Sequence, residues 1–292
     1  MDSSPSNRLS ENLIQGLFTL AALLSAALIL SIFIFMAVLG LPLLGADQLF
    51  QVLTGPWSPD HQIYGIYPMI WGTLAIALLA LLLAVPISLG CAVLIQVTAP
   101  KGPGRVLRRL VQLMTGVPTV IYGFVGIFLL VPLVREILGR GSGLCILSAG
   151  SMLSVLIAPT MILFFSQGLA NVPRSHCQAV AALGGTPVQR LVYVMLPQAR
   201  RSILAGIVLG LGRAVGDTMI ALMLAGNAVA PPDSILASAR TLTAHIALVF
   251  AADFDSPEFR TVFICGLMLY LGTTLSVAAI RAMSAKGMGA QL

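Results

Sequence analysis

The chain has 292 residues, of which 58% are hydrophobic and 9% charged, and a formal net charge of +6. A soluble domain carries about a quarter charged residues, so this chain could not cover a water-facing surface, and a soluble enzyme is excluded. It reads as a multi-pass membrane protein.

Six apolar stretches are long enough to cross about 30 Å of hydrocarbon at 1.5 Å per residue. They run over residues 13–39, 69–98, 111–134, 143–170, 202–226 and 260–282. The first is too long for the apolar core of a signal peptide and lacks a cleavage pattern, so it reads as retained. This predicts a cytoplasmic segment 1–12, a transmembrane domain 13–283 and a cytoplasmic tail 284–292. In the fourth stretch "GRGSG" (139–143) is a loop signal that delays the helix.

Arginine and lysine set the orientation. With both termini cytoplasmic, Arg8, the Lys101–Arg109 cluster, the arginines between 174 and 201, Arg281 and Lys286 face inward. Only Arg135, Arg140, Arg240 and Arg260 then face outward, together with most of the acidic residues, including Asp253 and Asp255. The basic balance thus reflects topology, not a nucleic-acid partner. Among the outer loops, 40–68 is rich in Pro, Gly and aromatics, and 227–259 contains "ILASARTLTAHIALVF", read as an interfacial or re-entrant helix. Trp57 and Trp71 fit an interfacial belt.

Residues 171–201 are half apolar and carry helical grammar, unlike a passive linker. "SHCQAVAAL" reads as a short helix stopped by Gly184 and Gly185. Thr186, Pro187 and Gln189 then form a T-x-x-Q capping box for a second helix, which Pro197 interrupts near Leu196. Two short helices at an angle would make a cytoplasmic knob suited to docking in a partner's groove. The bland alternative is an amphipathic loop lying on the bilayer. The chain has no G-x-x-x-x-G-K-[ST] stretch: Lys101 and Lys286 are its two lysines, and each precedes a glycine. Any ATP must bind elsewhere.

In the fifth stretch, "LGLGRAVGDTMIALMLAGN" (209–227) places Arg213 and Asp217 near the midplane. A charge there costs roughly 2.5–3.5 kcal/mol on insertion scales. At a spacing of four the two share one face of a continuous helix and partly neutralise each other. Two readings stay open: an ion pair that fixes helix register, or an anion site in which the Arg213 fork grips an oxyanion and Asp217 prevents too tight a hold. Thr218 adds a hydroxyl for the anion or for its own helix. Thr119 and Tyr122 are pathway donors or packing residues. Pro86, Pro118, Pro132 and Pro159 are expected to kink spans. Cys91, Cys145, Cys177 and Cys265 form no C-x-x-C pair, and His61, His176 and His245 lack ligand spacing, so no disulfide framework, metal or cofactor is expected. One acid and one arginine in the membrane interior do not make a catalytic constellation, so the chain is not expected to be an enzyme.

The 171–201 loop resembles the E-A-A loop of ABC-importer permeases. Gln178, Ala179 and Val180 stand at its E-A-A positions, Gly184 follows after three residues, and Leu196 and Pro197 close it. "GLGRAVGDTMIALMLAGN" resembles the signature of phosphate-specific permeases of the PstC type, with Asp217 where that signature has Glu. "TGVPTVIYGFVGIF" (115–128) and "YPMIWGTL" (67–74) are similar to its third- and second-span segments. The resemblance implies an all-α integral membrane fold of six transmembrane helices, the type I ABC-importer (MetI-like) permease fold, in a bacterial cytoplasmic membrane. It also implies a homologous permease subunit as heterodimer partner, two ATPase subunits and an extracytoplasmic phosphate-binding protein. An importer for sulfate, molybdate or phosphonate is the alternative.

Overall fold

In the computed structural model the described residues are 5–40, 46–98, 102–139, 141–250 and 256–286. Lys101, Arg140, Asp253 and Asp255, used above for the charge bias, lie outside them, as do residues 1–4 and 287–292 of the two terminal segments. Among the described residues six helices are long and apolar enough to cross a membrane.

The first is α1 (Pro5–Gly40), whose apolar window is 0% buried within the chain. It rests at the edge on α13 (Pro257–Lys286), with Phe33 against Tyr270 and Phe35 edge-on to Phe263. Next come α2 (Ala46–Thr54) and a short antiparallel hairpin, β1 (Trp57–Ser58) with β2 (Ile63–Tyr64). The second span is α3 (Tyr67–Val93), prolonged by a π turn over Leu94–Thr98.

The third span begins at Thr119, not at residue 111. Residues Pro103–Met114 form a separate amphipathic helix, α4. Val111 is buried and Leu107 packs beside it, Val106, Leu110 and Leu113 are exposed, and Arg105, Arg108 and Arg109 occupy the remaining exposed side. The turn at Thr115–Pro118 separates it from α5 (Thr119–Val125), a π turn (Gly126–Leu130) and α6 (Val131–Leu138). Pro118 therefore precedes α5 as its N-cap, whereas Pro132 lies just after the π turn, inside the continuous helical run from Thr119 to Leu138.

The fourth span, α7 (Ile146–Ala170), is the centre of the fold: 72% of its apolar window is buried, against 28% or less in the others. Lipid is as apolar as leucine, so helices here associate through close packing. Ala77, Ala80 and Ala84 of α3 and Ala149 of α7 are small enough to let the two backbones approach, and this is the most extensive helix pair in the chain.

The expected knob comprises α8 (Arg174–Ala182) and α9 (Pro187–Arg190). Gly184 takes φ +76°, which an L side chain rarely adopts. The capping box is formed: Thr186 Oγ1 accepts from Gln189 N at 3.2 Å and Gln189 Oε1 accepts from Thr186 N at 2.8 Å. Pro197 does not end the second helix. A π turn (Leu191–Met195) leads directly into α10 (Leu196–Gly216), and Pro197 lies in the first turn of α10. The fifth span thus runs from Pro187 in the knob to Gly216.

Beyond α10 come α11 (Met219–Leu224) and α12 (Leu242–Val249). Only this last part of the 235–250 stretch is helical. A Cβ on Gly72 of α3 would collide with the Arg240 carbonyl, so glycine there lets the segment before α12 lie against α3.

Trp57 does not sit in an interfacial belt. It is buried, edge-on to the imidazole of His245 with ring centroids 4.4 Å apart. Trp71, by contrast, is exposed. Thr261 Oγ1 donates to the Glu258 carbonyl, so it accepts from His245 Nε2–H at 3.2 Å. His245 Nδ1 has no partner among the described residues, and burial, with the Arg240 charge adding to it, pushes the imidazole down to about 4. A folded-state value below the ordinary 6.5 gives stability that is present above pH 6.5 and lost as pH falls toward 4, roughly 3 kcal/mol in all. The thermal midpoint of the purified chain is expected to fall between pH 6.5 and 4.5, and His245→Gln, which keeps the donor to Thr261, is expected to flatten that slope. Equal slopes for the two proteins would refute the assignment.

Candidate functional site

The fifth span breaks where its charges lie. Gly216 is the last residue of α10, and Asp217 is extended (φ −73°, ψ 129°). Arg213 and Asp217 therefore do not share one face of a continuous helix, and they form no ion pair. The Arg213 guanidinium instead reaches α7, where its Nη1 donates to Thr160 Oγ1 at 3.0 Å. The Asp217 carboxylate turns forward, and its Oδ2 accepts from Ile220 N at 2.8 Å. Asp and Thr suit helix caps because their short side chains bond nearby backbone amides, and here Asp217 starts α11 in that way.

A second tie fixes the break from above. Thr243 Oγ1, in the first turn of α12, donates to the Asp217 carbonyl at 2.8 Å and bonds Thr241 Oγ1 at 3.0 Å. The carbonyl freed by the break is thus satisfied within the chain, as a low-dielectric surrounding demands. Asp217 is 8% exposed, while Arg213 and Thr218 are half-buried. The break holds a guanidinium with unused donors beside a carboxylate with one oxygen engaged, the arrangement that can both grip and release an oxyanion.

The third-span candidates lie apart in role. Tyr122 is buried, and its hydroxyl donates to the Met114 carbonyl at 3.2 Å, closing the turn between α4 and α5. Thr119 is half-buried in the first turn of α5.

In the knob, Gln178 and Ala179 are exposed on α8 and Gly184 is exposed at its end. Leu196 is half-buried against the core, and Pro197 is exposed beside His176. An exposed apolar group joins them that sequence spacing missed: Leu183 at 88%, Val188 at 67% and Tyr193 at 75% exposure. Exposed apolar side chains of this size suit an interaction surface. Their signal in the sequence is the apolar half of the loop itself. Among the described residues no group of three His, Cys, Asp or Glu could hold a metal.

The family model "Binding-protein-dependent transport system inner membrane component" matches residues 84–289. The "Probable ABC transporter permease protein YqgH" of Bacillus subtilis is 32% identical over 274 residues, 92% of this chain and 89% of the relative. The "Phosphate transport system permease protein PstC" of Xylella fastidiosa is 30% identical over 291 residues, 91% of this chain and 86% of that one. Among solved structures, a chain of a bacterial alginate ABC transporter has a TM-score of 0.65 at 16% identity, over 96% of this chain and 98% of its own. A chain of the MetNI methionine ABC transporter has 0.56 at 23% identity, over 73% and 93%. Six apolar helices, the fold of ABC-importer permeases and a family match over most of the chain lead to one conclusion: this protein belongs to the binding-protein-dependent transport system inner membrane components, as a multi-pass permease subunit of the inner membrane.

Proposed function

We propose that the chain is the permease subunit of an ATP-driven importer of inorganic phosphate. The observation that carries this is the broken fifth span, with the Arg213 fork held toward α7 by Thr160 and the Asp217 carboxylate set at the break. The relatives named as phosphate permeases support the choice of anion. Phosphate carries an O–H at neutral pH, so Asp217 can accept from it while Arg213 donates to its oxygens. Sulfate has no such proton and would set two acceptors against each other.

In this reading a homologous permease completes the pathway, an extracytoplasmic phosphate-binding protein delivers the anion, and two ATPase subunits dock on the knobs. Both termini are cytoplasmic, which the arginine and lysine distribution supports. Closure of the ATPases would pull on α8 and α9, and the continuous helix from Pro187 would carry that movement to Arg213. Gln178, Ala179, Gly184, Leu196 and Pro197 serve coupling. Arg213, Asp217 and Thr218 line the path, with Thr119 and Tyr122 on the neighbouring span.

The test is uptake of labelled phosphate at low external concentration, with ATP depleted while the proton gradient is held, and with sulfate and molybdate as competitors. Uptake is expected to depend on ATP and to resist both competitors at 100-fold excess. Displacement by sulfate or molybdate would favour an importer of another oxyanion instead.

A further inference from the structure

Arg240 is half-buried, and Nε donates to the Asn227 carbonyl at 3.1 Å. Its Nη1 and Nη2 have no acceptor among the described residues, and neither is a buried orphan, so both face open space. The residue is nevertheless set deep. Its carbonyl lies against Gly72, and Leu242 N donates to Thr73 Oγ1 at 2.9 Å. Gly72 is five residues into α3 from Tyr67, about 8 Å below the outer end of that span. The segment is pinned there by backbone bonds, Asn227 N to the Ala239 carbonyl and Ala239 N to the Ala225 carbonyl. A cation at this depth, without a carboxylate partner among the described residues, is costly unless something else supplies the negative charge.

The same segment lies over the break in the fifth span, because Thr243 donates to the Asp217 carbonyl. Arg213 is one turn earlier in α10, on the side of Asp217 nearer the knob. The segment that carries Arg240 and the turn that carries Arg213 thus both adjoin Asp217. Arg213 and Asp217 alone sum to zero and would not draw an anion inward. With Arg240 the set carries one net positive charge.

We propose that Arg240 is a second oxyanion-binding residue, on the extracytoplasmic side of the path. An oxyanion entering from outside meets the free Nη donors of Arg240 first. It then passes Asp217 to Arg213, and the intervening carboxylate keeps the two arginines from closing on one anion together. The inference rests on the reading of Arg213 as part of an anion path.

The test uses the whole transporter in proteoliposomes, with its ATPase and its loaded binding protein. Labelled phosphate uptake and stimulated ATP hydrolysis are measured for the wild type, Arg240→Met, Arg240→Lys and Arg213→Gln. Met keeps the packing of the stem without the charge, and Lys keeps the charge without the fork. Phosphate uptake per ATP is expected to drop 5- to 20-fold in Arg240→Met and to recover at least halfway in Arg240→Lys, with stimulated hydrolysis within twofold of wild type in both. Arg240→Met transporting like wild type sinks the proposal. So does a Lys variant no better than Met, or a parallel loss of assembly, which would make Arg240 a clamp on the Asn227 carbonyl. If Arg213→Gln is inactive while Arg240→Met is normal, the path stands and only Arg240 is lost from it. If wild-type vesicles take up sulfate or molybdate and not phosphate, the substrate reading fails, and the same variants are scored on that anion. Vesicles inert to all three overturn both.

Discussion

Arg213→Gln is expected to lower phosphate uptake by about 10- to 150-fold in a complex that still assembles. The range follows from a charged hydrogen bond worth about 1.5–3 kcal/mol. Gln ends where arginine has Nε, two bonds short of Nη1, so the bond to Thr160 is lost together with the charge and the fork, and assembly is checked beside uptake. Asp217→Asn isolates the other half of the site. Its amide oxygen can still accept from Ile220 N, so the start of α11 is kept and only the carboxylate charge goes. Asp217→Ala also removes the cap, worth about 1 kcal/mol, and is expected to lower the thermal midpoint where Asn does not. Normal uptake in Arg213→Gln would make the broken span purely structural.

Leu183→Lys and Val188→Glu should each weaken association with the ATPase subunit about 30-fold or more. Both side chains are exposed in the chain itself, so neither change disturbs its core. Both also suit their local helix ends: a cation follows the end of α8 and an anion opens α9. The expected loss therefore comes from setting a charge in an apolar contact, at about 2 kcal/mol or more. The two substitutions carry opposite charges, so a merely electrostatic surface would be strengthened by one and weakened by the other. Binding of purified ATPase to the reconstituted permease, measured by titration, separates these outcomes.

The spans were legible because a bilayer demands long apolar runs, and composition alone exposes them. The capping box at Thr186 and Gln189 was legible for a different reason: its two bonds join residues three apart. The ends of spans were harder. Val111, Leu113 and Met114 extend the third apolar run back into what is a separate amphipathic helix, and only "TGVP" (115–118) marks the division.

The break at Asp217 was misread because a spacing of four, Arg213 to Asp217, is also the spacing of a helical pair. The triplet Gly216-Asp217-Thr218 held the contrary signal, since all three types favour helix ends over helix interiors. The partners of the site were beyond sequence reasoning. Thr160 is 53 residues from Arg213 and Thr243 is 26 from Asp217, and nothing local links them.

The π turn at Leu191–Met195 separates two kinds of sequence freedom. A wide turn accommodates one residue more than a regular α-helical turn. A chain one residue shorter within it would close into ordinary helix and leave Arg213 aimed at Thr160. One residue lost between 203 and 212 would instead swing the guanidinium by about 100° around the axis. The knob can therefore be remodelled to suit a changed partner while the register of the side chains within the bilayer is insulated from it.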